Sequence, residues 1–218
     1  MGSPRRRPLG SPRRRQGKGP TGGGRDQGRE HGDALPAEQP TAGGVVIVMG
    51  VAGTGKTTVG AMLAEALAVP YAEADSFHPP ANVAKMTAGE PLDDADRQPW
   101  LDAIGRWAAE RMESGGVVSC SALKRAYRDR LRAAAPGVFF VHLTGDRSLI
   151  ARRMEQRRDH FMPLTLLDSQ FATLQPLQAD EAGAAVPVCD GPDTVTGQAL
   201  AAVREWCAMP EGPSAVRP

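Results

Sequence analysis

The residues of this chain with the clearest capacity for chemistry lie between Gly50 and Thr57. The stretch reads Gly-Val-Ala-Gly-Thr-Gly-Lys-Thr and fits the pattern G-x-x-x-x-G-K-[ST] at every fixed position. Glycines let backbone N–H groups approach an anion, a lysine at this position reaches β- and γ-phosphates, and the threonine hydroxyl is a ligand for Mg²⁺. We predict an ATP site formed by Gly50, Val51, Ala52, Gly53, Thr54, Gly55, Lys56, Thr57 and Thr58, with Lys56 also catalytic and Thr57 also a metal ligand.

This motif requires a strand before it and a helix after it. Residues 45–49 form a short apolar, β-branched run that is typical of a buried strand. After the loop, apolar residues recur at helical spacing, which predicts a helix with one buried face. They are Val59, Met62, Leu63, Ala66 and Leu67. The context is therefore the one in which a phosphate-binding loop is built.

A second chemical group is expected at the end of the next strand, residues 69–75. Ligands collect at the carboxyl ends of strands in parallel α/β sheets, and this strand ends in acidic residues. After the third strand, residues 117–121, Cys120 and Ser121 stand where a metal-binding acid is often found. We therefore predict that Asp75 serves as the catalytic carboxylate and as a metal ligand.

Five predicted strands alternate with helices along the chain: residues 45–49, 69–75, 117–121, 138–143 and 185–189. This alternation predicts an α/β fold in three layers, with a parallel five-stranded sheet flanked by helices. The expected domain spans residues 45–208, and residues 209–218 are expected to be loose. Pro99 is expected in the first turn of a long amphipathic helix.

Composition narrows the class of protein. The chain has 218 residues, 41% of them hydrophobic, which allows one domain with a core. No apolar run approaches the roughly 20 residues that cross a membrane. The three cysteines fit neither a zinc pattern nor a disulfide framework, so a reducing cytoplasm is expected.

Residues 1–44 differ from the rest of the sequence. They hold nine Lys/Arg and four Asp/Glu, a net charge of +5, whereas the remaining residues hold 17 and 21, a net charge of −4. The segment is rich in glycine, proline and arginine and poor in apolar residues, so we expect it to be disordered. It is either an inert tail or a functional basic arm. The lack of an aromatic residue for base stacking argues against nucleic-acid binding and favours the inert tail.

An acidic cluster near the start of the long helix has two interpretations. Asp93, Asp94 and Asp96 either cap the helix N-terminus or line a polar site, and the charges alone favour capping.

Several further motifs, in order and at their spacing, resemble the gluconokinase family, over residues 45–207. These are Phe77-His78-Pro79, Lys85-Met86, Gly89-Glu90-Pro91-Leu92-Asp93-Asp94, Cys120-Ser121-Ala122-Leu123-Lys124, Tyr127-Arg128-Asp129, His160-Phe161-Met162-Pro163 and Ser169-Gln170-Phe171-Ala172-Thr173-Leu174-Gln175. The resemblance implies a P-loop kinase fold with a mobile lid, and transfer of phosphate from ATP to the 6-hydroxyl of D-gluconate with Mg²⁺. It also implies a possible homodimer.

The resemblance implies roles for further residues. Gluconate needs a cation for its carboxylate and polar groups for its hydroxyls. The candidates are His78, Lys85, Lys124, Arg125, Arg128 and His160, although Lys85 and Arg125 could equally be surface residues. The lid is expected at about residues 153–165. It brings Arg157 to the transferred phosphoryl group; Arg158 is the alternative, and a solvated arginine remains a third interpretation. Glu73, often Asp in the family, and Asp159, commonly Gly, depart from the pattern.

Two other functions stay open at this stage. One is a kinase for another small acid or a nucleoside monophosphate within the same superfamily. The other is a nucleotide-dependent nucleic-acid-binding protein that uses the basic tail.

Overall fold

A parallel five-stranded sheet forms the middle layer of the computed structural model, which describes residues 43–156 and 164–209. The neighbouring strands run in the order β2-β3-β1-β4-β5. This confirms the fold class predicted from the alternation of strands and helices. The strands are β1 Val45–Met49, β2 Tyr71–Glu73, β3 Gly116–Ser119, β4 Val138–Thr144 and β5 Gly183–Pro187.

Helices cover both faces of the sheet, so β1 is buried along its whole length. Val46 and Val48 pack into one core with residues of α1 and α7, while Val45, Ile47 and Met49 pack into the other with residues of α3 and α4. The helices are α1 Lys56–Leu67, α2 Pro80–Thr87, α3 Asp94–Ala109, α4 Arg125–Ala134, α5 Arg147–Glu155, α6 Leu164–Thr173 and α7 Pro192–Ala208.

The strand order places the predicted chemistry at one edge of the sheet. The chain leaves central β1, passes to β2 and β3 on one side, and crosses to β4 on the other. The carboxyl ends of β1, β3 and β4 therefore meet where the connections diverge, which is where open α/β sheets bind ligands.

Three predicted strands end two residues earlier in the structure: the second, the third and the fifth, which was predicted to reach residue 189 but ends at Pro187. The second strand was predicted to run through Asp75, but β2 ends at Glu73, which is paired in register with Ser119, the last residue of β3. Ala74–Phe77 then form a 3₁₀ helix that carries Asp75. Cys120 and Ser121 likewise follow β3 instead of ending it.

The N-terminus of α3 settles the interpretation of two acidic residues. Asp93 accepts a hydrogen bond from the Asp96 N–H at 2.7 Å, and the Asp96 side chain accepts one from the Asp93 N–H at 3.0 Å. This reciprocal capping box confirms that both cap the helix. It also starts the helix at Asp94, so the expectation that Pro99 lies in the first turn is wrong.

Some predictions lie outside the described residues. These are the tail up to residue 42, residues 157–163 of the expected lid, and the C-terminal residues 210–218. Within the described part of the chain, none of the helices combines the length and the hydrophobicity that a membrane span requires.

Candidate active site

Two glycines of the loop between β1 and α1 combine a positive φ with a close neighbour that leaves no room for a side chain. Gly50 has φ +140°, and a Cβ there would lie 2.7 Å from the Leu143 carbonyl oxygen. Gly53 has φ +83°, and a Cβ there would lie 2.7 Å from Cγ of Met154. The loop is thus pressed against β4 and α5 at the point where α1 presents its N-terminus, the usual setting for binding a phosphate.

Lys56, the first residue of α1, lies over the loop it follows. Its Nζ donates to the Val51 carbonyl oxygen at 3.0 Å. The same carbonyl accepts from Thr54 Oγ1 at 2.9 Å, and Thr54 is buried. The ammonium group is therefore held at the rim of the loop, as the motif predicts for a lysine that reaches phosphates.

Glu73 belongs to the candidate site, although the sequence reasoning mentioned it only as a departure from the family pattern. Tyr71 Oη donates to Glu73 Oε1 and Ser119 Oγ donates to Oε2, each at 2.7 Å. Burial raises the pKa of this carboxyl group, but hydrogen bonds from Tyr71, Ser119 and Thr57 and the charge of Lys56 outweigh burial and lower it overall. Glu73 is therefore an ionised carboxylate beside Thr57 and Lys56.

Asp75 lies exposed at the same edge of the sheet, on the 3₁₀ helix after β2. The Trp100 indole N–H donates to the Ala74 carbonyl oxygen at 2.7 Å and anchors this helix to α3. Cys120 directly follows β3, and burial raises its pKa to about 12; a hydrogen bond with the Ala122 backbone and the charge of Lys56 oppose this rise, whereas the charge of Asp75 adds to it. The charges of Asp75 and Lys56 thus both act on the Cys120 thiol, one from the 3₁₀ helix after β2 and the other from the start of α1.

These oxygen groups fit a divalent cation. The Thr57 hydroxyl and the carboxylates of Glu73 and Asp75 are the hard ligands that Mg²⁺ prefers, and a cation of this kind keeps several water molecules. The tyrosine and serine hydroxyls on Glu73 fix the orientation of that carboxylate, as outer partners of metal ligands commonly do.

His78 lies at the mouth of the site, stacked on Trp100. The ring centroids are 4.7 Å apart with an interplanar angle of 4°. Burial is the main reason that its pKa is lowered; the nearby Asp75 charge opposes this and Arg97 adds to it. The imidazole is thus a neutral, positioned polar group suited to a sugar hydroxyl.

The two lysines predicted to bind the substrate, Lys85 and Lys124, form salt bridges with aspartates of α3. Lys85 Nζ lies 2.7 Å from Asp96 Oδ1, and Lys124 Nζ lies 2.7 Å from Asp94 Oδ2. Tyr127 also donates to Asp94. Lys85 thereby fastens α2 to the capped start of α3, and Lys124 fastens α4 to the same place. Both ammonium groups stay partly exposed, as contact with a ligand requires.

The predicted substrate contact of Arg128 is wrong. Its side chain is fully buried and forms an ion pair with Glu181, with Nε 2.6 Å from Oε1 and Nη2 2.8 Å from Oε2. The remaining N–H groups donate to backbone carbonyls of Ala122, Leu123, Gln175 and Pro176. Every donor of the guanidinium is used inside the protein, so Arg128 supports the loop that carries Lys124 and does not contact ligand.

A cavity of about 310 Å³ adjoins the phosphate-binding loop. Sequence reasoning proposed no residue for the nucleoside part of ATP, because the wall is formed by separate segments. Arg153 donates to the Asp190 carbonyl oxygen at 3.1 Å and links the end of α5 to the loop before α7. The lining residues outside the phosphate-binding loop include Val59, Arg153, Gln156, Val188, Asp190 and Pro192.

Arg157 and His160, predicted as catalytic and substrate-binding, and the family departure Asp159 lie outside the described residues. The described part brings together Lys56, Thr57, Glu73 and Asp75 at the sheet edge, with His78 at the mouth. Lys85 and Lys124 lie on α2 and at the start of α4.

Comparison with known proteins places this geometry in a family. The family profile described as Shikimate kinase matches residues 52–181, more than half of the chain. A gluconokinase of Gluconobacter oxydans (strain 621H) is 49% identical over 138 residues, which cover 62% of this chain and 78% of that protein. The thermosensitive gluconokinase of Escherichia coli (strain K12) is 44% identical over 142 residues, covering 64% of this chain and 76% of that protein.

The solved structures agree with the sequence comparison. The crystal structure of a gluconokinase from Sinorhizobium meliloti 1021 has 47% sequence identity and a TM-score of 0.70, and the match covers 75% of this chain and 93% of that one.

Proposed function

The chain belongs to the gluconokinase family of P-loop kinases, and on that premise we propose that it phosphorylates D-gluconate with ATP, giving 6-phospho-D-gluconate and ADP. The observation that supports this most is the sheet edge itself. A phosphate-binding loop with Lys56 lies beside the acidic pair Glu73 and Asp75, and a neutral His78 lies at the mouth.

Phosphoryl transfer depends mainly on positioning and on stabilising charge. We propose that the loop amides and Lys56 hold the β- and γ-phosphates, and that the nucleoside part of ATP occupies the cavity between α5 and the loop before α7. Lys56 starts from the Val51 carbonyl, so a short movement of its ammonium group brings it to a phosphate oxygen.

We propose that Asp75 orients and deprotonates the acceptor hydroxyl, because it is exposed at the sheet edge and its charge, like that of Lys56, acts on Cys120. Thr57, Glu73 and Asp75 would hold Mg²⁺, which when bound neutralises charge on the phosphates. Tyr71 and Ser119 keep Glu73 oriented toward this site.

We propose that His78, Lys85 and Lys124 contact the sugar acid. The two lysines are paired with aspartates, so a carboxylate ligand would share or replace these partners. From the family resemblance, we propose that His160 also contacts the sugar acid. Arg157 would stabilise the charge on the transferred phosphoryl group, with Arg158 as the alternative. We also propose that the protein is cytoplasmic and that it forms a homodimer. Sedimentation of the purified protein tests the homodimer.

The experiment is a coupled ADP-release assay with ATP, Mg²⁺ and single sugar acids. D-Gluconate is expected to be the preferred acceptor. Shikimate is included because the family profile carries that description, and preference for it would replace the gluconate assignment.

A further inference from the structure

One peptide unit of the phosphate-binding loop is held on both sides. The Ala52 N–H donates to Gln170 Oε1 at 2.7 Å. On the other side of this peptide, the Val51 carbonyl accepts from Lys56 Nζ at 3.0 Å and from Thr54 Oγ1 at 2.9 Å. The N–H and C=O of a trans peptide are coplanar and point in opposite directions. A side chain that fixes the Ala52 N–H therefore also fixes the direction of the carbonyl on which Lys56 rests.

Gln170 reaches the loop from a firmly packed helix. It belongs to α6 and is 118 residues away from Ala52 in sequence. Leu167, one turn earlier, is fully buried in the core that also contains Val51, and Phe171 packs against this core. A glutamine whose helix is already in place loses little further freedom when it forms this bond.

We propose that Gln170 is a positioning residue for Lys56, acting through the Val51–Ala52 peptide. Its carboxamide oxygen holds the peptide in the orientation that directs the Val51 carbonyl to the ammonium group, so Lys56 is ready for the β- and γ-phosphates. Gln170 does not itself touch the reacting atoms. The inference rests on the proposed function, because it assigns Gln170 to the phosphate site of the same reaction.

A purely structural role for Gln170 makes a different prediction. If the hydrogen bond only fastens α6 to the loop, its loss lowers stability, and its effect on nucleotide binding is independent of Lys56. If it acts through Lys56, the effect disappears when the ammonium group is absent. A double-mutant cycle separates the two cases.

The test measures ADP binding by calorimetry, with melting temperature recorded for each protein. The four proteins are the wild type, Gln170→Met, Lys56→Ala and the double variant. Methionine keeps the length of the side chain but lacks the amide oxygen. We expect Gln170→Met to weaken ADP binding about fivefold to tenfold, the factor a single hydrogen bond is typically worth, and to change it less than twofold when Lys56→Ala is already present.

Ser169→Ala is the matched control, because its hydroxyl donates only to the Leu166 carbonyl of its own helix. It is expected to leave ADP binding unchanged. Gln170→Asn, which keeps the amide but shortens its reach, replaces the methionine variant if that variant does not fold, and the same coupling is expected.

Equal effects of the Gln170 substitution with and without Lys56, or no effect in either background, would overturn the inference. In those cases the proposed function is still supported if Lys56→Ala alone binds ADP more weakly than the wild type. Failure of the wild type to bind ADP, or an unchanged affinity in Lys56→Ala, would instead overturn the proposed phosphate site.

Discussion

At the scale of single residues, we expect phosphate binding to depend on Lys56. Its ammonium group already lies 3.0 Å from the Val51 carbonyl at the rim of the loop. We expect Lys56→Ala to lower turnover by ~10³ or more, because phosphoryl transfer relies on charge stabilisation. Steady-state kinetics measure this. Arg204→Ala, which removes a charge from the exposed face of α7, is the control.

A folded Lys56→Ala protein with near wild-type turnover would remove the phosphate-binding role from this loop.

Asp75 is the second test at this scale. Asparagine has nearly the same shape but accepts no proton and carries no charge, so Asp75→Asn is expected to lower kcat by roughly 10²–10⁴. The measurement is kcat and KM for each substrate. A change confined to KM for ATP would show that Asp75 serves the metal and not the acceptor hydroxyl.

At this scale the sequence predicted the loop residues because their spacing carries the chemistry, but it gave Glu73 no role. The hydroxyls of Tyr71 and Ser119 orient the Glu73 carboxylate, and Ser119 is 46 residues away. Only the parallel pairing of β2 with β3, in the register Glu73 to Ser119, brings them together. A sequence pattern does not contain that register.

At the scale of elements, the loop between β3 and α4 is supported from inside the protein. Ala122 in this loop has φ +42°, which is strained for a residue with a side chain, and its carbonyl accepts from the buried Arg128. Gln175, just after α6, donates its N–H to the Leu123 carbonyl at 2.8 Å. The ion pair of Arg128 with Glu181 thus joins three segments near the predicted substrate site.

We therefore expect Arg128→Met to act on stability. Removing Arg128 takes away the bidentate partner of the buried Glu181 carboxylate and leaves it only the Gln178 N–H at 3.0 Å and Arg125 Nη1 at 3.7 Å. We expect a loss of about 3 kcal/mol of unfolding free energy, the low end for breaking a buried ion pair. Urea denaturation measures the loss. The double variant Arg128→Met/Glu181→Met is expected to recover part of it, and gluconate KM is expected to change little in any variant that folds.

A stable Arg128→Met protein with a strongly raised gluconate KM would contradict the structural role. The family resemblance suggested a ligand contact, and nothing near Arg128 in the sequence indicates the acid with which it pairs in the interior. That acid lies 53 residues further along the chain.

At the scale of the whole molecule, the buried His142 on β4 links stability to pH. It is 3% exposed, and its Nε2 has no hydrogen-bond partner among the described residues. Burial, with the charge of Arg128 as a smaller cause, lowers its pKa from 6.5 to about 4. Between pH 6.5 and about pH 4, His142 binds a proton in the unfolded chain but stays neutral in the folded protein. The free energy of unfolding therefore falls as the pH drops through this range.

The expected loss between pH 7 and pH 4 is about 3 kcal/mol from this residue, following the free energy of one pKa unit. Denaturation of the wild type and of His142→Phe across this range measures it. Carboxylates contribute to both proteins, so the difference between the two curves isolates the histidine. Parallel curves would show that His142 takes up its proton in the folded state.

The sequence also predicts that the first 42 residues contribute nothing to the kinase domain, because they offer no apolar face for packing. A chain beginning at Gly43 is expected to melt within a few degrees of the full chain and to turn over at the same rate. Thermal denaturation and the kinase assay check this. A larger loss of melting temperature would show that the segment packs on the domain.

The α/β architecture was predictable because strands and helices alternate with distinct hydrophobic periods, and β1 is apolar throughout because both its faces are covered. The cavity beside the phosphate-binding loop could not be predicted from the sequence. Its wall combines Thr58 and Val59 of α1, Arg153 of α5 and the loop before α7, which become neighbours only through the sheet order.

The most direct measurement of the central claim is the rate of ADP release by the wild-type chain with ATP, Mg²⁺ and a panel of sugar acids. The account predicts that D-gluconate gives the highest kcat/KM and that the product carries phosphate on its 6-hydroxyl, as phosphorus NMR identifies it. No turnover with gluconate, together with efficient turnover of shikimate or another acid, would contradict it.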